Sequence, residues 1–475
     1  MGPFFVIILK LKRFSCIFRI INSIINMKNI FLTILLLGVV ELSFAQVIVN
    51  RDPEIESMLK EVSADSLKVN MYKLVSFGTR NTLSTQRNAN RGIGAARNWI
   101  LSKFNEYAKN SNGRLTAFID TVRYLPDGKR VDRPINLGNV VATLKGTDTN
   151  DKRIFIISGH MDNMRTKVMD SIGDAPGAND DGSGTVAVME CARVMSKHQF
   201  PATIIFVTVA GEEQGLIGAY YMAKKAKKEN WAIEAVLNND IMGSNNSNET
   251  NIIDNTKLRV FSEGLSVLDT GKAAMQLRQL GLENDGRSRQ LARYIKEVAE
   301  RYIDNMQIVM VYRNDRFLRG GDHTPFVENG YAAVRFTEMN ENYTRQHQDV
   351  RTENGIAYGD LPEHIDFEYL RKNSGVNLAN LANLAKAPSI PEQVKVDASK
   401  LSNSTYLSWK SPKTGRAKGY YILIRETTSP VWQKKIYTEQ LDIKLPYSKD
   451  NYFFGVQSVN EFGNESLPVI PSVGR

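Results

Sequence analysis

The chain is poor in cysteine: among 475 residues only Cys16 and Cys191 carry a thiol. One of them falls in a stretch expected to be removed, so no intramolecular disulfide framework can form, and stability must come from a core. Cys191 lies in an apolar helical pattern and is expected to be buried packing, not a nucleophile or a ligand. Histidine is also scarce, five in all, so any imidazole site must draw on His160, His198, His323, His347 and His364. Dense basic runs with interleaved aromatics are absent despite a formal net charge of +10, which argues against nucleic acid as a partner. The basic stretch "KKAKKE" at 224–229 reads as the solvated end of a helix.

Long apolar runs are equally rare. Residues 27–45, "MKNIFLTILLLGVVELSFA", have a basic start at Lys28 and an apolar core over 30–40. They end in Ser43-Phe44-Ala45, with small residues where a secretory signal peptide is cleaved. The apolar core is too short for a comfortable membrane span. Met27 is therefore the expected start, and 1–26 a mis-assigned extension upstream of it. No cysteine stands beside the cleavage site to carry a lipid. The expected product is an exported protein, periplasmic or extracellular, with no stable membrane insertion after cleavage.

From about 50 to 387 the chain alternates short apolar strands with helical patterns. "NVVATLKGT", "RIFIISGH", "TIIFVTVA", "IEAVLNND" and "YAAVRFTE" read as strands; 184–197, 214–228 and 288–303 read as helices. Such alternation predicts an α/β fold, a mixed, mostly parallel sheet flanked by helices. Sites in these sheets lie just beyond the carboxyl ends of strands, and three strands end at or beside His160, Glu212 and Asp240. Segment 244–290 is expected to form loops and a helix around the substrate mouth. Asp322, Arg319 and Tyr343 are candidates for pocket lining or for solvated loops.

The composition changes at "APSIPEQ", 387–393, read as a proline-marked linker. The remaining residues, 388–475, alternate in strand style and predict an all-β sandwich. With Trp409 early and Tyr452 late, this stretch resembles a fibronectin type III module. It is expected either to bind another protein or a carbohydrate, or to pack against the rest of the chain.

The strand ends carry chemistry. His160 in "SGHMDN" could ligate a metal, with Asp162 two residues on supporting it. In "GANDDGSG", Asp181 suits a helix cap, whereas Asp180 could bridge two metals. Glu212 and Glu213 sit side by side in "VAGEEQG", where like charges repel unless a cation neutralises them. Asp240 ends "LNND", and His347 follows the strand "YAAVRFTE". Carboxylates and imidazoles in this mix suit divalent zinc, and a pair of metals needs a bridging carboxylate.

The order H-x-D, N-D-D-G-S-G, G-E-E-Q-G, N-x-D and a late histidine resembles the M28 family of co-catalytic zinc aminopeptidases over roughly 65–385. The resemblance implies two Zn2+, one held by His160, Asp180 and Asp240, the other by Asp180, Glu213 and His347. It implies Glu212 as general base, Asp162 as support for His160, and peptides with a free N-terminus as substrates. The sequence departs from the common H-T-x-x-D ending, reading His347-Gln348-Asp349. His323 in "GGDHTPF" resembles an element near the pocket that does not usually ligate; His198 and His364 are expected to be structural. Two alternatives stand beside the aminopeptidase reading. Glutaminyl-peptide cyclotransferases share the fold and acids but use one zinc, and usually carry an insertion after the paired glutamates that "GEEQGLIGAYYMA" lacks. A catalytically inactive, peptidase-like binding protein would be expected to have lost ligands.

Overall fold

Apolar runs with no polar alternation need both faces covered, and that requirement organises the molecule. The structure is a computed structural model and describes residues 49–474; the expected extension and signal peptide lie outside the described residues. Its central sheet has eight strands: β1 (Leu115–Tyr124), β2 (Ile135–Leu144), β3 (Ile154–His160), β4 (Thr203–Val209), β5 (Ile233–Asn239), β6 (Lys257–Phe261), β7 (Gln307–Val311) and β8 (Ala333–Glu338). Their order is β1-β2-β4-β3-β5-β8-β6-β7. The middle pairs, β4 with β3, β3 with β5 and β5 with β8, are parallel. Antiparallel pairing joins β1 to β2, β2 to β4 and β6 to β8. The sheet is thus the mixed, mostly parallel one expected, with its parallel strands almost wholly buried.

Helices Gly184–Met195 and Phe367–Lys386 cover one face and Ile217–Lys228 the other. The helix Phe367–Lys386 reads as polar because asparagine recurs along it, yet Asn373, Asn377, Asn380 and Asn383 are all buried. Each amide nitrogen donates, Asn373 to the Met242 carbonyl at 2.8 Å and Asn377 to Asn239 Oδ1 at 2.7 Å, while the oxygens of Asn373, Asn377 and Asn380 have no partner. Buried amides are tolerated when bonded in this way.

Beyond the sheet, β9 (Arg351–Glu353) and β10 (Ile356–Tyr358) form a short hairpin. The C-terminal region contains β11 (Glu392–Asp397), β12 (Thr405–Lys410), β13 (Gly419–Glu426), β14 (Lys434–Thr438), β15 (Asp442–Leu445), β16 (Tyr452–Val459) and β17 (Ser472–Gly474). They make two small sheets, β15-β12-β11-β17 and β14-β13-β16, with Trp409 edge-on to Tyr420 at 5.4 Å.

The segment expected to be a linker is held down. Arg153 donates to the carbonyls of Ala387 (2.7 Å) and Pro388 (3.2 Å). The described residues form one compact unit. Ion pairs cross between the sheet body and the C-terminal strands. Asp285 meets Arg293 at 2.8 Å and Arg425 at 2.5 Å, while Glu465 bonds to Arg301 and lies beside Lys435.

Segment 244–290 differs from expectation. Its strand β6 reaches the mouth through Arg259 and Phe261. The part around helix Gly271–Gln279 instead shares a cavity of about 580 Å³ with Ile470 and Val473 near β17. Leu265, Leu268, Leu277 and Leu280 line that cavity, so this part turns apolar side chains towards the C-terminal strands.

Candidate metal centre

Parallel strands ending side by side bring distant residues together, and β3, β4 and β5 do so here. His160 is the last residue of β3, Glu212 and Glu213 follow β4, and Asp240 follows β5. After β4 the chain turns at Gly211 with φ 77°, a left-handed conformation suited to glycine. A Cβ there would also meet Leu137 at 2.7 Å.

Asp162 fixes the turn. Its Oδ1 accepts the Glu212 N–H and its Oδ2 the Glu213 N–H, both at 3.2 Å, with Thr82 Oγ1 donating to Oδ2 at 3.0 Å. The expected support for His160 comes mainly through the backbone: His160 Nδ1 lies 3.1 Å from the Asp162 carbonyl but 3.7 Å from its carboxylate. The carboxylate is already engaged by the two glutamate amides.

Asp180 occupies the middle. Its Oδ1 is 3.2 Å from His160 Nε2 and its Oδ2 is 2.9 Å from His347 Nε2. The loop carrying it is braced from far along the chain. Asp360 accepts the Asn179 N–H at 2.9 Å and the Asp180 N–H at 2.7 Å, and Arg80 donates to the Pro176 and Gly177 carbonyls. Asp181 caps the following helix, accepting the Gly184 N–H at 2.8 Å, and accepts the His160 N–H at 2.9 Å. The Asp180–Asp181 peptide is cis.

Two groups of potential metal ligands result: His160, Glu212 and Asp240; and Asp180, Glu213 and His347. Around His160 Nε2, Asp180 Oδ1 at 3.2 Å and Asp240 Oδ1 at 3.8 Å are nearer than Glu212 Oε2 at 4.0 Å. His347 Nε2 also lies 3.2 Å from Glu213 Oε1. His323 is elsewhere, its Nε2 2.7 Å from the Asn314 carbonyl. His198 faces Glu54 and Glu61, and Cys191 is buried in its helix.

The donors fit zinc on a structural criterion. His160 Nε2, His347 Nε2 and Glu213 Oε1 are buried without a hydrogen-bond partner, and such atoms are costly unless something binds them. Electrostatics agree. Burial, reinforced by Glu213, Asp240 and Asp322, holds the Glu212 carboxyl well above its ordinary range, against the pull of His160. Burial also raises Glu213, which Asp180 reinforces while His347 opposes it. Burial would lower His160, but Glu212, Asp180 and Asp240 outweigh it and hold the imidazole well above its usual value. A cluster so crowded with carboxylates calls for cations.

Two site residues had weak sequence signals. Asp322, a candidate for pocket or solvated loop, is buried with neither carboxylate oxygen partnered. Burial, with Asp162 and Asp240 adding to it, pushes its carboxyl up to about 8 against the pull of His160. Arg335, within the apolar strand β8, meets Asp240 at 3.0 Å and Asp315 at 2.5 Å. An arginine inside an otherwise apolar strand predicts buried carboxylate partners, and that signal was present in "YAAVRFTE".

The sequence profile of Peptidase family M28 matches residues 139–365. A probable zinc metalloprotease of Leptosphaeria maculans is 43% identical over 424 residues, 89% of this chain and 98% of that protein. Another, from Pyricularia oryzae, is 43% identical over 432 residues, 89% of this chain and 85% of its own. Among solved structures, LapA of Legionella pneumophila matches with a TM-score of 0.51 at 21% identity, over 72% of this chain and 78% of that one; this is a likeness of fold. With the ligand geometry and the relatives in agreement, the chain belongs to peptidase family M28, a family of zinc metalloproteases.

Proposed function

We propose that the protein is an exported aminopeptidase that removes N-terminal residues from peptides at a two-zinc centre. The observation that carries this reading is the position of Asp180, a member of the second group of potential ligands whose other carboxylate oxygen reaches His160 of the first. His160, Asp180 and Asp240 would hold one zinc; Asp180, Glu213 and His347 would hold the other. When bound, the pair supplies Lewis acidity for the scissile carbonyl and lowers the pKa of an attacking water.

Glu212 is the general base. It is the glutamate further from the second group, and Asp162 fixes its backbone so that its side chain faces the first. It takes the attacking water's proton and passes it to the leaving amine. The positively charged α-amine of a substrate suits Asp322, the acid beside the site that is neither ligand nor base and has both oxygens without a partner, which favours cleavage at the N-terminus over cleavage within a chain. The apolar stretch 27–45 supports export. Among the described residues no helix is long and apolar enough to cross a membrane. The two C-terminal sheets are read as a fibronectin type III-like module, and the ion pairs along its seam support a packing role.

The test supplies the zinc-loaded protein with one peptide in two forms, with a free and with an acetylated N-terminus. Stepwise release of single residues from the free form alone is expected. Equal cleavage of both, or internal cuts, would overturn the exopeptidase reading.

A further inference from the structure

Next to the metal centre lies a cavity of about 800 Å³ with an unusual charge balance. His347 forms part of its wall, so the cavity borders the site through that one ligand residue. The His347 side chain keeps 32% exposure while its Nε2 faces Asp180 and Glu213. Four arginines line the space, Arg259, Arg313, Arg316 and Arg319, and Glu341 is the one acid among the lining residues.

Glu341 is fully engaged. Its Oε1 takes Arg259 Nη2 at 2.5 Å, and its Oε2 takes Arg316 Nη1 at 2.6 Å and Gln346 Nε2 at 3.1 Å. Burial would raise its carboxyl, but Arg316 and Arg259 outweigh this and keep it below the ordinary range. The other two guanidiniums form no salt bridge with any described residue. Arg313 stacks over the ring of Phe317 with its Cζ 5.3 Å from the centroid. Phe317 is 75% exposed and Tyr343 58%, so the cavity has an apolar rim.

Like charges gathered round a concave surface repel, and concave low-dielectric walls strengthen their field. Guanidinium forks bind carboxylates in pairs of parallel hydrogen bonds. His347 belongs both to the cavity wall and to a ligand group, and one residue of extended chain spans about 3.5 Å, so a group held beside His347 lies within a residue or two of a bond at the metal centre.

We infer that the arginine-lined cavity beside His347 selects peptides carrying a carboxylate within a residue or two of the scissile bond, with Arg313 and Arg319 as specificity-determining residues. The inference rests on the aminopeptidase reading for its placement of the substrate. The carboxylate has two sources, an acidic side chain or the C-terminus of a very short peptide, and the probes separate them.

The experiment uses the zinc-loaded full chain and matched pairs: Ala-Glu-amide against Ala-Gln-amide, Glu-Ala-amide against Gln-Ala-amide, and Ala-Ala against Ala-Ala-amide. The carboxylate-bearing member of at least one pair is expected to have a kcat/KM about tenfold higher, the scale of one charge-assisted hydrogen bond. The pair that shows it names the source. In the double variant Arg313→Ala/Arg319→Ala that ratio is expected to fall towards unity, and in Arg319→Glu to invert. The preference should also shrink as salt is raised. Both positions are exposed, and a thermal melt checks that the variants remain folded.

Calorimetric binding of the same pairs to zinc-loaded Glu212→Gln gives a readout independent of turnover. Equal rates and equal binding within all three pairs would overturn the inference, leaving the arginines to balance the acidic centre. An unchanged ratio in the double variant would do the same. If no probe loses its first residue, the aminopeptidase reading fails, and the binding arm alone then decides the cavity.

Discussion

Two buried charge clusters in this molecule use the same kinds of side chain to opposite effect. At the seam between the sheet body and the C-terminal strands, Asp285 is shared by Arg293 and Arg425, and Glu465 by Arg301 and Asn383. The acids there have partners, and the Glu465 carboxyl sits below its ordinary range: burial would raise it, but Arg301 and Lys435 outweigh that. At the ends of β3, β4 and β5, Asp180, Glu212, Glu213, Asp240 and Asp322 face two histidines and the guanidinium of Arg335. Among the acids there, Glu213 and Asp322 keep carboxylate oxygens without a partner. Balance marks a joint, and imbalance marks a place where something must bind.

The largest expected effect separates chemistry from binding within the unbalanced cluster. Glu212→Gln should lower kcat by about 100- to 10,000-fold, the usual contribution of a general base, while zinc content measured by atomic absorption stays at the wild-type level. Normal turnover with zinc bound would remove Glu212 from the mechanism.

Next comes the balanced cluster. Glu465→Gln leaves Arg301 and Lys435 buried beside a neutral group and should destabilise the protein by about 3 kcal/mol, read from urea unfolding. The pH dependence has a definite sign. The folded carboxyl lies below its ordinary value of about 4.5. Its contribution is therefore fully present above that pH and is lost as pH falls through the folded value. The variant should show a flatter loss of stability on acidification than the wild type.

The contrast sharpens with Glu213→Gln, where the two clusters should respond in opposite directions. In metal-free protein, removing one of several crowded carboxylates should stabilise by about 1 kcal/mol, the scale of one pKa unit; the melting temperature reads this. The same change should weaken zinc retention during dialysis. If metal-free Glu213→Gln melted lower than metal-free wild type, the imbalance would not be a source of strain.

The smallest effect belongs to an exposed pair. Arg165 meets Asp349 at 2.7 Å with both side chains partly in water, and Asp349→Asn should cost less than about 1 kcal/mol. A larger loss, measured by the same urea titration, would mean that the loop holding His347 depends on this contact.

Much of the sheet could be read from the chain because β3, β4, β5 and β8 are continuous apolar runs, and their ends carry the metal-site candidates. Three strands were not anticipated. β1 alternates exposure along a sheet edge, while β6 and β7 are five residues each, too short for a periodic signal. The helix Phe367–Lys386 was hidden by its asparagines, whose burial depends on partners far away in sequence. The same reason hid Asp360 and Arg80: a carboxylate that accepts backbone N–H groups 180 and 181 residues away leaves no local pattern. His347 could be placed by its position after β8, whereas Asp322 offered nothing to distinguish a buried acid from a loop residue.

The brace on the Asp180 loop has a consequence for proteolysis. Arg80, which ties down Pro176 and Gly177, and Thr82, which donates to Asp162, both precede the matched region 139–365. Every proposed ligand lies after them. A single nick in the exposed stretch around 126–130 would leave all the ligands on one fragment, with Asp162 and Asp360, and the Arg80 and Thr82 part of their bracing on the other. The two pieces would keep working only for as long as they stayed associated, so clipping there would act as a delayed off-switch, set by how slowly the N-terminal fragment departs.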